Sequence, residues 1–159
     1  MPVSAALAID ALNGVARDGK LPWWGTPEGK WDMHHFVETT RGHAVVMGRA
    51  TWEMLRKPLA GRLNLVLTRN PAFIAEGATV VHTPDEAVAV ARRNDKELWV
   101  IGGPSTYDAF LPLITAWVVT RFTKSYRCTL YYTPRIGKNN TVTKVVTFPG
   151  GKVLYMSIT

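Results

Sequence analysis

Short apolar runs alternate with helix-forming segments along this chain, and that alternation is the strongest constraint on its fold. VSAALAI (3–9) ends at Asp10 and reads as a buried strand; HAVVMG (43–48), LNLVLT (63–68), ATVVH (78–82), ELWVIGG (97–103) and AWVVTRFT (116–123) read the same way. Thr26-Pro27-Glu28 opens a helix, with a Thr N-cap, Pro at the first helical position and an acid in the first turn. That helix is predicted to run to about Thr40 and stop near Gly42. ATWEML (50–55) forms a short helix, Pro84 starts another through EAVAVARR, and Pro104 opens STYDAFL. The stretch from Asp10 to Gly25, rich in Gly, Pro and Trp, is predicted to be a long loop. The tail, TVTKVVTFPGGKVLYMSIT, reads as two strands joined by Pro-Gly-Gly. The expected fold is therefore α/β: one domain with a mostly parallel central sheet flanked by helices, and an antiparallel C-terminal hairpin at the edge.

The 159 residues fit a single domain, 1–159, able to bury a real core. A hydrophobic content of 47% against 19% charged residues marks a folded rather than disordered chain. Cys128 is the only cysteine, which excludes an internal disulfide and fits a reducing compartment. No apolar run approaches the ~20 residues that cross a bilayer, and the N-terminus lacks a basic leader, so a cytoplasmic location is expected. With no long unmatched apolar surface visible, a monomer is expected. The net charge of +7 is dispersed and accompanied by no nucleic-acid motif, so an anionic small molecule suits it better than nucleic acid.

In open α/β sheets, ligands bind beyond the carboxyl ends of the strands. Three such corners stand out: Gly48-Arg49-Ala50-Thr51, Thr68-Arg69-Asn70, and Gly102-Gly103-Pro104-Ser105-Thr106. Helix N-termini offer backbone N–H groups to phosphate, and arginine adds a forked donor. Singly, each corner can serve only a turn; jointly they favour a dinucleotide, with Arg49 and Arg69 suited to the 2′-phosphate of NADP. Neither GxGxxG nor GxxxxGK[ST] occurs. Metal binding finds no support: His34 and His35 are adjacent and face different ways, while His43 and His82 stand alone. No Ser/His/Asp arrangement is obvious.

Asp32 is the ambiguous residue. At helical spacing Met33, Phe36, Val37 and Thr40 form the core stripe, and Asp32, His35, Phe36 and Thr39 share the neighbouring face. Asp32 thus sits at the rim of the buried side, past the first turn. It is either a solvated charge or a carboxylate with a raised pKa that grips a planar N–H/NH2 edge.

LPW (21–23), Asp32 with Phe36 four residues on, VVMGRATWE (45–53), PLAGRLNLVLTRN (58–70) and VIGGPSTYDAFLP (100–112) together resemble the dihydrofolate reductase family, in its order and spacings. The resemblance covers about residues 3 to 123. It implies NADPH-dependent reduction of 7,8-dihydrofolate, with Asp32 as the active-site acid anchoring the pterin and Thr120 as its hydroxyl partner. It further implies that Ser4, Ala5, Met33, Phe36, Leu59 and Ile101 line the substrate site. Arg62, assisted by Lys57, would pair with the glutamate tail's α-carboxylate. On the cofactor side, Arg49, Thr68 and Arg69 would meet the 2′-phosphate, with Leu67 and His82 beside them. Thr51, Ser105 and Thr106 would meet the pyrophosphate, next to Gly48, Ala50, Gly103 and Pro104. The Gly102-Gly103 pair matches one that carries a cis peptide in the family. Ile101 and Tyr107 would flank the nicotinamide, and Ala6, Asn13, Gly14, Val15 and Asp18 would complete that side. Leu21 and Trp23 belong to the mobile lid.

After Thr123 the resemblance fades: KSYRCTLYYTPRIGKNN lacks the acidic character usual there and gathers positive charge. Two alternatives are a related reductase of another heterocycle, of the riboflavin-pathway pyrimidine reductase type, and a non-catalytic NADP- or nucleic-acid-binding protein. Asp32 together with Arg62 argues against the first; acid, lid and cofactor corners together argue against the second.

Overall fold

A computed structural model describes residues 2–135 and 139–158, so part of the basic segment 124–144 lies outside the described residues. The elements run β1 Val3–Ile9, β2 Gly14–Ala16, α1 Pro27–Thr40, β3 Ala44–Gly48, α2 Arg49–Leu55, β4 Leu63–Leu67, β5 Thr79–Val81, α3 Pro84–Arg93, β6 Leu98–Val100, α4 Pro104–Phe110, β7 Ile114–Phe122, β8 Leu130–Tyr131, β9 Asn140–Phe148 and β10 Gly151–Ile158. Hydrogen-bonded neighbours follow the order β5-β4-β3-β6-β1-β7-β10-β9, with β2 and β8 forming a separate pair. The α/β class, the mostly parallel sheet and the antiparallel C-terminal hairpin are as the strand–helix alternation predicts.

The chain divides into two compact units, one of Met1–Ala5 and Thr40–Ile114, the other of Ala6–Thr39 and Thr115–Thr159. In the first, β5, β4, β3, β6 and the start of β1 pair in parallel, with Val46 opposite Leu65 and Val100, and Ala5 opposite Val100. Residues 44–47 are fully buried, which is why β3 is a continuous apolar run rather than an alternating one. Thr83 caps α3 by accepting from Glu86 N, with Pro84 at the first helical position, and the helix buries Ala87, Val90 and Ala91.

In the second unit, β7, β10 and β9 are antiparallel, and Thr120 lies opposite Val153. The turn between β9 and β10 needs glycine: Gly150 has φ of 104°, and a Cβ there would fall 2.8 Å from the Cβ of Glu28. Trp31 on α1 stacks on Phe148 at 3.9 Å between ring centroids.

Three details differ from expectation. The predicted loop after β1 contains β2, which pairs with the unpredicted β8. β6 stops at Val100 instead of continuing to residue 103, because Gly102 takes φ of 127°. β7 begins two residues early, at Ile114. Among the described residues, no helix is long and apolar enough to cross a membrane.

Candidate active site

Thr26 sets the start of α1 as its residue type suggests: its Oγ1 accepts from Gly29 N at 3.0 Å and donates to the Trp23 carbonyl at 2.6 Å. Gly29 is required here, since a Cβ would lie 1.9 Å from that carbonyl oxygen. The turn before the helix is thereby drawn onto its first turn. Farther along α1, Asp32 is half-buried, and its Oδ1 accepts from the Thr120 hydroxyl, 2.6 Å away on β7. Burial pushes the Asp32 carboxyl up to about 6, against the pull of the Thr120 hydrogen bond, which favours the charged form. Its partner is a neutral hydroxyl, 3% exposed, and not a cation. The sequence leaves Asp32 open between two readings; the structure gives it a hydroxyl partner and a raised pKa.

Met33 and Phe36 are half-buried beside it on α1. His35 turns elsewhere: its Nε2 lies 2.6 Å from the Tyr155 hydroxyl and its ring stacks on Trp31. Burial, with Lys144 and His34 nearby, holds its pKa below the usual histidine value. In the predicted lid, Leu21 is half-buried, Trp24 is exposed, and Trp23 is 2% exposed with its ring 4.8 Å from Phe122.

β1 delivers the chain to Asp10, a fully buried carboxylate. Its Oδ1 accepts from the main-chain N of Leu12 and Gly14, and its Oδ2 from that of Tyr126, at 2.8–2.9 Å. Burial acts to raise its pKa, but these bonds and the Cys128 thiol outweigh it and hold the carboxyl below the ordinary value. Asn13 accepts from Arg121 at 2.9 Å and donates to Thr133 at 3.3 Å. Gly14 lies against Cys128, and Asp18 N donates to Thr129 Oγ1 at 2.8 Å. Val15 and, on β1, Ala6 are half-buried. Most of the 13–18 loop's polar contacts are thus with residues 121–133.

The first unit holds the predicted corners. β3 and β6 are parallel neighbours, so the chain leaves both at the same end. There Gly48 N donates to the Gly102 carbonyl at 2.8 Å, and the Gly102–Gly103 peptide is cis. A Cβ on Gly48 would sit 2.6 Å from Thr106 Oγ1; one on Gly102 would sit 3.6 Å from both Thr51 Oγ1 and the Tyr107 hydroxyl. Glycines without side chains, two threonine hydroxyls and two helix starts lacking a side-chain cap therefore converge. Ile101 and Pro104 are half-buried at its edge, with Ala50 and Ser105 exposed. This donor set suits an anion.

Arg49 bonds Glu53 at 2.8 Å and lies over the Phe73 ring. Thr68 Oγ1 accepts from Asn70 N, and its carbonyl meets His82 Nδ1 at 2.8 Å, with Arg69 exposed and Leu67 half-buried beside it. Arg62 is fixed by Thr40, whose Oγ1 accepts from Nε at 2.8 Å, and by the Ala60 carbonyl. Lys57 is exposed, Leu59 and Ser4 are half-buried, and Ala5 is fully buried.

Three residues escaped sequence reasoning. Asn64, 3% exposed, accepts from Leu59 N and donates to the carbonyls of Leu59 and Arg62. Its signal was present: one amide inside the apolar run LNLVL. Glu28 reads as a first-turn acid, yet it is buried and accepts from the Tyr126 hydroxyl. Asp10 reads only as a strand end.

The family model for dihydrofolate reductase matches residues 2–148. The chain belongs to the dihydrofolate reductase family. Among relatives, the dihydrofolate reductase of Mycobacterium leprae is 44% identical over 124 residues, covering 76% of this chain and 72% of that one. Dihydrofolate reductase type 3 of Salmonella typhimurium is 38% identical over 112 residues, 70% of this chain and 66% of the relative. The solved dihydrofolate reductase of Enterococcus faecalis, complexed with NADP(H) and RAB-propyl, superposes with a TM-score of 0.86 at 26% identity, over 99% of this chain and 96% of that one. Every candidate residue from Ser4 to Thr120 lies inside the span of the family model, whereas β10 lies beyond that span.

Proposed function

We propose that this protein reduces 7,8-dihydrofolate to 5,6,7,8-tetrahydrofolate with NADPH, by hydride transfer to C6 of the pterin. The observation that carries the reading is Asp32: a single carboxylate, withdrawn from water, held by a neutral hydroxyl and titrating near 6. Its two oxygens provide acceptor sites for Thr120 and for the 2-amino and N3 groups of a pterin. In its charged form the carboxylate favours a protonated N5, the proton arriving from water. Leu21 and Trp23 close over the reacting rings and limit further water. Met33 and Phe36, on α1 with Asp32, contact the substrate; the family resemblance assigns Leu59 and Ile101 to substrate contacts as well, and Arg62, with Lys57, to the glutamate α-carboxylate as a forked donor.

NADPH, when bound, supplies the hydride. Thr51, Ser105 and Thr106 hold its pyrophosphate where Gly48, Gly102 and Gly103 leave room for close backbone approach. Arg49, Thr68 and Arg69 receive the 2′-phosphate, and Tyr107 faces the nicotinamide. That the Enterococcus faecalis enzyme was solved as a complex with NADP(H) supports this choice of cofactor.

Loss of NADPH absorbance on adding dihydrofolate tests the proposal. The wild type is expected to turn over, and Asp32→Asn to lose on the order of 10²–10⁴ in rate at neutral pH. Equal turnover by the variant would remove Asp32 from the mechanism.

A further inference from the structure

The loop after β4, Thr68-Arg69-Asn70-Pro71-Ala72-Phe73, contains a turn written into its residue types, with Asn at its first position and Pro at its second. Thr68 Oγ1 accepts from Asn70 N at 3.2 Å, Asn70 Oδ1 from Ala72 N at 3.0 Å, and the Asn70 carbonyl from Phe73 N at 3.2 Å. The base of the loop is held as well: Thr68 N donates to the Val81 carbonyl at 3.0 Å, and the Thr68 carbonyl meets His82 Nδ1. So fixed, the turn brings the half-buried Phe73 against Arg49, whose guanidinium carbon lies 4.7 Å from the ring centroid. Arg49 Nε donates to Glu53 at 2.8 Å, one turn along α2. That pair is exposed, and an exposed i,i+4 ion pair alone holds an arginine weakly. The ring adds a second constraint. Glu53 sets the direction of the Nε edge, Phe73 sets the plane, and the Nη edge is what remains to offer a ligand.

We propose that Phe73 is a positioning residue that sets cofactor specificity: it holds the Arg49 guanidinium flat, with the Nη edge ready for the 2′-phosphate that distinguishes NADPH from NADH. The inference rests on the proposed 2′-phosphate role of Arg49, Thr68 and Arg69. It adds that the loop carrying two of these groups also supplies the platform for the third. An aromatic ring suits the task. A guanidinium is planar and weakly hydrated, and its attraction to a ring face leaves its N–H groups able to donate in plane. A long side chain whose plane is fixed beforehand loses less freedom when the ligand arrives. NADH carries a hydroxyl at the 2′ position, which gains little from an oriented, charged fork.

Dissociation constants of NADPH and NADH, read from quenching of the protein's tryptophan fluorescence, test this without any folate. Phe73→Leu keeps an apolar side chain and removes the ring. It is expected to weaken NADPH about two- to fivefold and to leave NADH unchanged. Phe73→Tyr keeps the ring and should bind both nucleotides as the wild type does. Equal weakening of NADPH and NADH in Phe73→Leu would make Phe73 a support of the loop alone, and overturns the proposal. An unchanged NADPH affinity overturns it too, as does a loss in Phe73→Tyr as large as in Phe73→Leu. Arg49→Ala tests the underlying reading: it should weaken NADPH by about tenfold or more and NADH little. If Arg49→Ala leaves the preference for NADPH untouched, the 2′-phosphate assignment falls and this proposal with it. If Arg49→Ala abolishes the preference and Phe73→Leu does not move it, only this proposal falls. Should Phe73→Leu not fold, pentafluorophenylalanine placed at 73 decides, since it keeps the shape and withdraws the negative charge from the ring face. A reduced preference for NADPH then supports the proposal, and an unmoved one overturns it.

Discussion

Thr120 donates its hydroxyl proton to Oδ1 of Asp32 at 2.6 Å, from a strand position that is 3% exposed. This bond favours the charged carboxyl, and burial opposes it. Thr120→Val keeps the shape and deletes the donor, so the Asp32 pKa is expected to rise further above 6. The pH profile of dihydrofolate reduction should move upward by about half a unit to one unit, and Thr120→Ser should restore it. An unmoved profile in Thr120→Val would separate this hydroxyl from the acid's titration.

Asp32 also sets a stability dependence on pH. Its folded pKa, about 6, is above the ordinary 3.8, so its contribution to stability is fully present below pH 3.8 and is lost as pH rises through 6. Asn at this position never ionises. Asp32→Asn is therefore expected to be more stable than the wild type by about 1–2 kcal/mol at pH 7, allowing for the partial exposure of the side chain. The gap should close on acidification. Urea denaturation across this range checks it, and a gap that widens toward low pH would reverse the assigned sign.

Asn64 ties together the loop that carries Leu59 and Arg62, through one accepted and two donated hydrogen bonds. Asn64→Ala leaves backbone groups of that loop without these partners, at about 1–3 kcal/mol of stability. If Arg62 reads the glutamate carboxylate, KM for dihydrofolate should rise about tenfold while kcat changes little. A dihydropterin lacking the glutamate tail should be reduced as before. Equal losses on both substrates would show that Asn64 supports the fold and not that recognition.

What was legible in the sequence follows from how local each signal is. The β3 run stands out because a parallel strand buried on both faces needs an unbroken apolar segment, and the Thr26 cap because it acts on Gly29, three residues on. β2 and β8 were not legible: they are three and two residues long, and they pair Gly14 with Tyr131, far apart in the chain. Glu28 illustrates the same limit at the site. A first-turn acid has a sufficient local explanation in the helix dipole, and its partner Tyr126 is 98 residues away. Asp32 could be placed at the rim of a helix face from spacing, but the neutral partner that sets its environment, Thr120, is 88 residues away.

Gly48 offers the sharpest test of the cofactor corner. A Cβ there would lie 2.6 Å from Thr106 Oγ1 but 4.0 Å from Thr106 Cβ, so the clash is with the hydroxyl alone. Thr106 is 3% exposed, at the start of α4, and has little space into which to retreat. Gly48→Ala should therefore destabilise the fold by about 1–3 kcal/mol and push the two corners apart. Adding Thr106→Ala removes the atom in the way, and the double variant should recover most of that stability. NADPH binding should not recover with it if the Thr106 hydroxyl holds the pyrophosphate, since the relief deletes a ligand-binding group. Melting curves and NADPH titrations of the two single variants and the double variant resolve the two effects as a coupling energy. Additive stabilities would rule out the contact between Gly48 and Thr106, and full recovery of NADPH affinity would rule out the role of the hydroxyl.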